Sequence, residues 1–107
     1  MIDKIATLSQ ILEQNPDDAF ARYGLAMEYA NQGDTAASIQ QFDLLLERHT
    51  GYTAGYFMAA QTLVRAGRPE EAKTRLRQGV ASAEQTNNHH ALEEMQAMLD
   101  DLEAQNL

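Results

Sequence analysis

The chain has 107 residues, with 8 Lys and Arg against 16 Asp and Glu, a net charge of −8 and no cysteine. The charge argues against nucleic acid or an anionic membrane as the main partner, and the missing cysteine excludes disulfides and thiolate chemistry while being compatible with a reducing compartment. A chain of this length is expected to be one domain burying a little over about 60% of its unfolded surface, and with Asp3 and Lys4 near the start and no long apolar run it is expected to be soluble and cytoplasmic, without signal peptide or membrane span.

Apolar spacing and punctuation predict six helices in chain order, over 2–14, 18–31, 35–49, 53–66, 69–85 and 89–104. Ile5, Leu8, Ile11 and Leu12 carry the first. Pro16 precedes Asp17 and Asp18, acidic residues suited to a helix start through capping and the macrodipole. Gly33 and Gly67 supply backbone freedom for the turns after the second and fourth helices, and Gly51 follows a helix whose last turn holds Arg48 and His49. Pro69 suits a first helical position, with Glu70 and Glu71 in the first turn. Asn87-Asn88 offers a cap for the last helix, where Leu92, Met95, Leu99 and Leu102 recur at steps of 3, 4 and 3. No alternating Val or Ile run suggests a strand, so the fold class is all-α.

The chain also repeats itself. At an offset of 34 residues, Asn31-Gln32-Gly33-Asp34 returns as Arg65-Ala66-Gly67-Arg68, and Tyr29/Leu63, Ala26/Ala60, Ser38/Ala72, Phe42/Leu76 and Leu46/Val80 fall into register without a gap. A fixed period of this length marks units that bury their apolar faces only by stacking on neighbours. The pattern resembles the tetratricopeptide repeat, whose landmarks fall on Arg22, Leu25-Ala26, Tyr29, Gly33, Ser38, Phe42 and Thr50, and again on Tyr56, Ala59-Ala60, Leu63, Gly67, Ala72, Leu76 and Glu84. Arg22 departs from the family's aromatic preference, and neither copy ends in Pro. The same offset run backwards sets Ile5, Leu8, Ile11 and Leu12 under Ile39, Phe42, Leu45 and Leu46. The resemblance implies a superhelix of antiparallel helix pairs in a single domain: an N-terminal half repeat over 1–17, full repeats over 19–52 and 53–86, and a capping helix over 87–107.

In that family the first helix of each pair lines a concave groove. Carried over, this places Phe20, Tyr23, Met27, Ala30 and Asn31 there from the first copy, and Phe57, Met58, Gln61, Val64 and Arg65 from the second. The Lys, Arg and Asn clamp with which some members grip an acidic C-terminal tail is missing, since Tyr23 and Phe57 hold one of its Lys positions and Met27 and Gln61 stand where it wants Asn. The surface is apolar and aromatic instead. It is either core, covered by the terminal helices, or a groove for an amphipathic helix or extended peptide anchored on its aromatics and methionines. The resemblance implies a non-catalytic adaptor or scaffold that binds another protein or peptide, with a homodimer through the same surface or the exposed first helix as the rival.

Two charge features complete the reading. Arg65, Arg68, Lys73, Arg75 and Arg77 crowd one stretch, while Glu84, Glu93, Glu94, Asp100, Asp101 and Glu103 follow with no Lys or Arg among them. These are either the facing surfaces of two antiparallel neighbours or a dock for an acidic segment. His89 with Glu93, and His90 with Glu94, are i,i+4 pairs, but a zinc site wants three or four protein ligands. No third ligand, nucleophilic triad or phosphate loop accompanies them, so a metal-dependent enzyme is the remote alternative and no metal or cofactor is expected.

Overall fold

Asp3, Asp18 and Asp34 each begin a helix. Their carboxylates accept the backbone N–H of Ala6, Ala21 and Ala37 at 3.2, 2.9 and 3.1 Å, satisfying donors that a helix start leaves open. The computed structural model describes residues 3–105. It holds six helices: α1 (Lys4–Gln14), α2 (Ala19–Asn31), α3 (Thr35–Arg48), α4 (Thr53–Arg65), α5 (Pro69–Gln85) and α6 (His89–Gln105). The expected helices agree to within two residues at each end, and the expected start of the first, Ile2, lies outside the described residues. Pro69 opens α5 with Glu70 and Glu71 in its first turn.

Three turns share one hydrogen-bond pattern. After α2, Gly33 N–H reaches Ala30 O and Asp34 N–H reaches Tyr29 O; after α4, Gly67 and Arg68 do the same to Val64 and Leu63; after α5, Asn87 and Asn88 do it to Glu84 and Ala83. This double bond pair demands a left-handed residue. Gly33 and Gly67 supply it at φ 81° and 76°, whereas Asn87 supplies it at φ 56°. Asn88 then caps α6, its side chain accepting the N–H of Ala91 at 3.1 Å.

Consecutive helices pack as antiparallel pairs. In addition α2, α4 and α6 touch one another in sequence, whereas the backbones of α1, α3 and α5 stay apart. The layer of α2, α4 and α6 is therefore the inner side of the curve. Between the layers lies a core that includes Phe42, Leu45, Leu76 and Met95, with a separate small cluster of Leu12, Ala21 and Leu25 joining α1 to α2. Small residues set the spacing: Ser38, fully buried, donates its hydroxyl to Ala26 O at 2.8 Å, and a Cβ on Gly79 would stand 2.4 Å from Met95 Sδ and 2.7 Å from Tyr56 Cβ. Among the described residues no buried side-chain nitrogen or oxygen lacks a partner.

The charged stretch of α5 is neutralised mainly from elsewhere than α6. Arg68, just ahead of α5, pairs with Glu71, Lys73 pairs with Glu70 within α5, and Arg75 bridges to Asp43 of α3. Arg77 alone of this stretch approaches α6, at 3.9 Å from Glu103. The expected attraction between α5 and α6 thus amounts to one long contact, and apolar burial of Met95, Leu99 and Leu102 holds α6 in place. Asp17, expected to serve the start of α2, instead pairs with Arg48 at the end of α3.

Candidate functional site

Tyr23 lies on α2, in the inner layer. Its ring meets Phe42 edge-on, with centroids 6.4 Å apart, and tilts against Tyr52 at 5.4 Å. Burial pushes the Tyr23 phenol above its ordinary value. Burial does the same for Tyr52, with the charges of Tyr23 and Asp18 adding to it. Tyr23, Phe57 and Met58 then line a cavity of about 270 Å³. Its far wall comes from α6, through His90, Ala91, Glu94 and Met95. Further along the same layer, Gln61, Val64 and Arg65 line a second cavity of about 350 Å³ with Met98 of α6.

Of the residues expected in the groove, six therefore border these two hollows: Tyr23, Phe57 and Met58 the first, Gln61, Val64 and Arg65 the second. Met27 is half-buried and packs against the main core. Ala30 is half-buried and Asn31 exposed near the end of α2. Phe20 lies apart, 76% exposed at the start of α2. The apolar surface is thus partly core and partly open, divided along α2.

The contribution of α6 escaped the sequence reading. Carried forward without a gap, the 34-residue offset sets Glu93 and Glu94 beneath Ala59 and Ala60. α5, however, has 17 residues against 14 in α3, and the Asn87 turn follows it. An offset of 36 brings Leu92, Met95 and Leu99 under Tyr56, Ala59 and Leu63, so that α6 sits beside α4 much as α4 sits beside α2. Letting the last offset slip by two residues is the signal that finds Glu94, which falls under Met58.

A larger cavity, about 440 Å³, opens on the outer layer between α3 and α5, lined by Asp43, Glu47, Arg75 and Gln78 among others. Its guanidinium already pairs with Asp43, and the nearby Thr50 carbonyl accepts both Tyr56 OH at 2.8 Å and Ser82 Oγ at 2.7 Å. These polar groups are engaged in holding helices together. His90 Nε2 lies 3.1 Å from Glu94 Oε1, and among the described residues no group of three His, Cys, Asp or Glu is arranged to hold a metal.

The sequence pattern of the tetratricopeptide repeat matches residues 29–99, from the last turn of α2 into α6. The chain belongs to the tetratricopeptide repeat family. Among solved structures it is similar to the tetratricopeptide repeat domain of a Salinibacter ruber protein, with a TM-score of 0.73 and 25% identity over 81% of this chain and 97% of that one. It is also similar to the solution structure of a Bordetella parapertussis protein, with a TM-score of 0.83 and 22% identity over 99% of this chain and 92% of the other, a likeness of fold. No curated protein matches the sequence. Tetratricopeptide repeat domains generally act as protein–protein interaction modules and are typically non-catalytic. No helix among the described residues is long and apolar enough to cross a membrane.

Proposed function

We propose that this tetratricopeptide repeat chain is a cytoplasmic, non-catalytic adaptor or scaffold, which seats a helix or extended peptide of a partner protein in the hollow between α2, α4 and α6. One observation carries the reading: Tyr23, Phe57 and Met58 converge on a cavity of about 270 Å³ whose third wall is α6. Aromatic and Met side chains around a concavity are the usual source of binding energy for such a segment. The layout supporting it is a half repeat over 1–17, repeats over 19–52 and 53–86, and a cap over 87–107 whose inner edge takes part in the groove. Affinity capture with crosslinking from the native cell, run on the wild type and on Tyr23→Ala/Phe57→Ala, tests it. The expected result is a foreign protein crosslinked next to the groove and lost with the variant; equal recovery by both would refute the reading.

A second reading has its own observation. Phe20 on α2 is 76% exposed and Ile11 on α1 41% exposed. Pairing of two copies over these side chains would cover them. Sedimentation at micromolar concentration separates the two: a dimer that Phe20→Glu disperses supports self-association, and a single-chain mass removes it.

A further inference from the structure

The walls of the groove differ in charge. Glu93, Glu94, Asp100 and Asp101 lie on α6, which has no Lys or Arg of its own, while Glu103 of the same helix turns to Arg77 of α5. Four of the eight cations are engaged elsewhere, Arg48 with Asp17, Arg68 with Glu71, Lys73 with Glu70 and Arg75 with Asp43. Glu94 borders the cavity that holds Phe57 and Met58, with His90 Nε2 of the same helix 3.1 Å from its carboxylate. Asp101, seven residues further on, returns to the same side of α6 after two helical turns. At the near end, Asp18 stands close enough to Tyr52 to act on its phenol. Arg65 borders the far end from the side of α4, where α6 contributes Met98.

We infer that the occupant of this groove is a basic amphipathic segment of a partner protein. Its apolar side chains, one helical turn apart, seat on Tyr23, Phe57 and Met58, and Lys or Arg along one flank faces Glu94 and Asp101. The inference rests on the groove reading above, which fixes the place of binding and leaves the charge of the partner open. The division of labour is physical: buried aromatic contacts supply affinity, while opposite charges at the rim select the partner and its orientation. An acidic segment seated in the same way sets like charges against α6 and is rejected.

The test is selection of short helical peptides, with randomised apolar and flanking positions, from a displayed library against the full chain. The selected peptides are then measured by fluorescence anisotropy beside versions whose flank charges are reversed. The inference expects enriched peptides with a cationic flank that bind about tenfold more tightly than their reversed versions, the size that a few exposed charge contacts produce. It also expects Glu94→Lys/Asp101→Lys to invert that preference, and added salt to shrink it. Circular dichroism confirms that the variants fold. Enriched peptides that are neutral or acidic yet depend on Tyr23 and Phe57 overturn the inference and leave the groove reading standing. A library yielding no peptide that depends on Tyr23 and Phe57 overturns both. A dimer dispersed by Tyr23→Ala/Phe57→Ala puts a second copy in the groove and overturns the inference as well.

Discussion

The two ends of the stack are closed unequally. At the C-terminal end α6 buries Met95 completely and Leu99 and Leu102 almost so, against a core shared with α4 and α5. At the N-terminal end α1 buries one residue of its own, Leu12, in a cluster separate from the main core, and leaves Ile11 and Phe20 facing water. A stack of helix pairs must end somewhere, and each end exposes a face built to meet another unit. The contrast teaches that the rephased α6 makes a firmer closure than α1, and that the firmer closure also supplies a wall of the groove.

Substitutions at the two ends should break this contrast in order of size. Met95→Ala removes a fully buried side chain at the centre of the C-terminal closure and should cost about 2–5 kcal/mol in urea unfolding. Leu12→Ala, in the small N-terminal cluster, should fall at or below the lower end of that range. Equal losses at the two positions would contradict the inequality of the ends. Gly79→Ala forces a Cβ to 2.7 Å from Tyr56 Cβ and closer still to Met95, and should lower stability by about 1–2 kcal/mol although Ala is the better helix former. A gain in stability would mean that α5 and α6 stand further apart than described.

Backbone and pH effects sharpen the comparison at smaller amplitude. Asn87→Gly places glycine in the one left-handed turn among the described residues that lacks it and should stabilise by about 0.5–1 kcal/mol, whereas Gly33→Ala and Gly67→Ala should destabilise, all read by thermal melting. The Tyr23 and Tyr52 phenols are held above their ordinary value near 10. Their folded forms keep the proton that the unfolded chain loses first, so this stability is fully present below pH 10 or so and is lost as pH rises through the folded values. Tyr23→Phe/Tyr52→Phe should flatten the alkaline limb of the urea midpoint, and an unchanged limb would assign it to other groups. Phe20→Ala should change stability by less than about 0.5 kcal/mol, because its ring meets water and little else.

Much of this fold was legible because it is written twice. Ser38 and Ala72, Phe42 and Leu76, and Gly33 and Gly67 announce the same packing and the same turn at a single offset. The placement of α6 was not legible by that route, since a longer α5 and an Asn in the left-handed position shift the register by two residues. Tyr23, Phe57 and Met58 follow from the offset, and their meeting with Glu94 does not. Ion pairing was hidden for another reason: Arg75 and Asp43 lie 32 residues apart on helices that share no backbone contact, so only side-chain reach brings them together. Phe20 shows the converse limit. Helical spacing places it on the face of Tyr23 and Met27, but in the first turn of α2 it stays 76% exposed.

The most direct test of the groove is amide chemical-shift mapping on the isotope-labelled chain, titrated with a selected cationic peptide or with the segment mapped in the captured partner. The account predicts the largest changes at Tyr23, Phe57, Met58, Ala91 and Glu94, with little at Asp43, Arg75 and Gln78 on the outer layer. Changes centred on that outer layer, or on Ile11 and Phe20 at the open end, would contradict it.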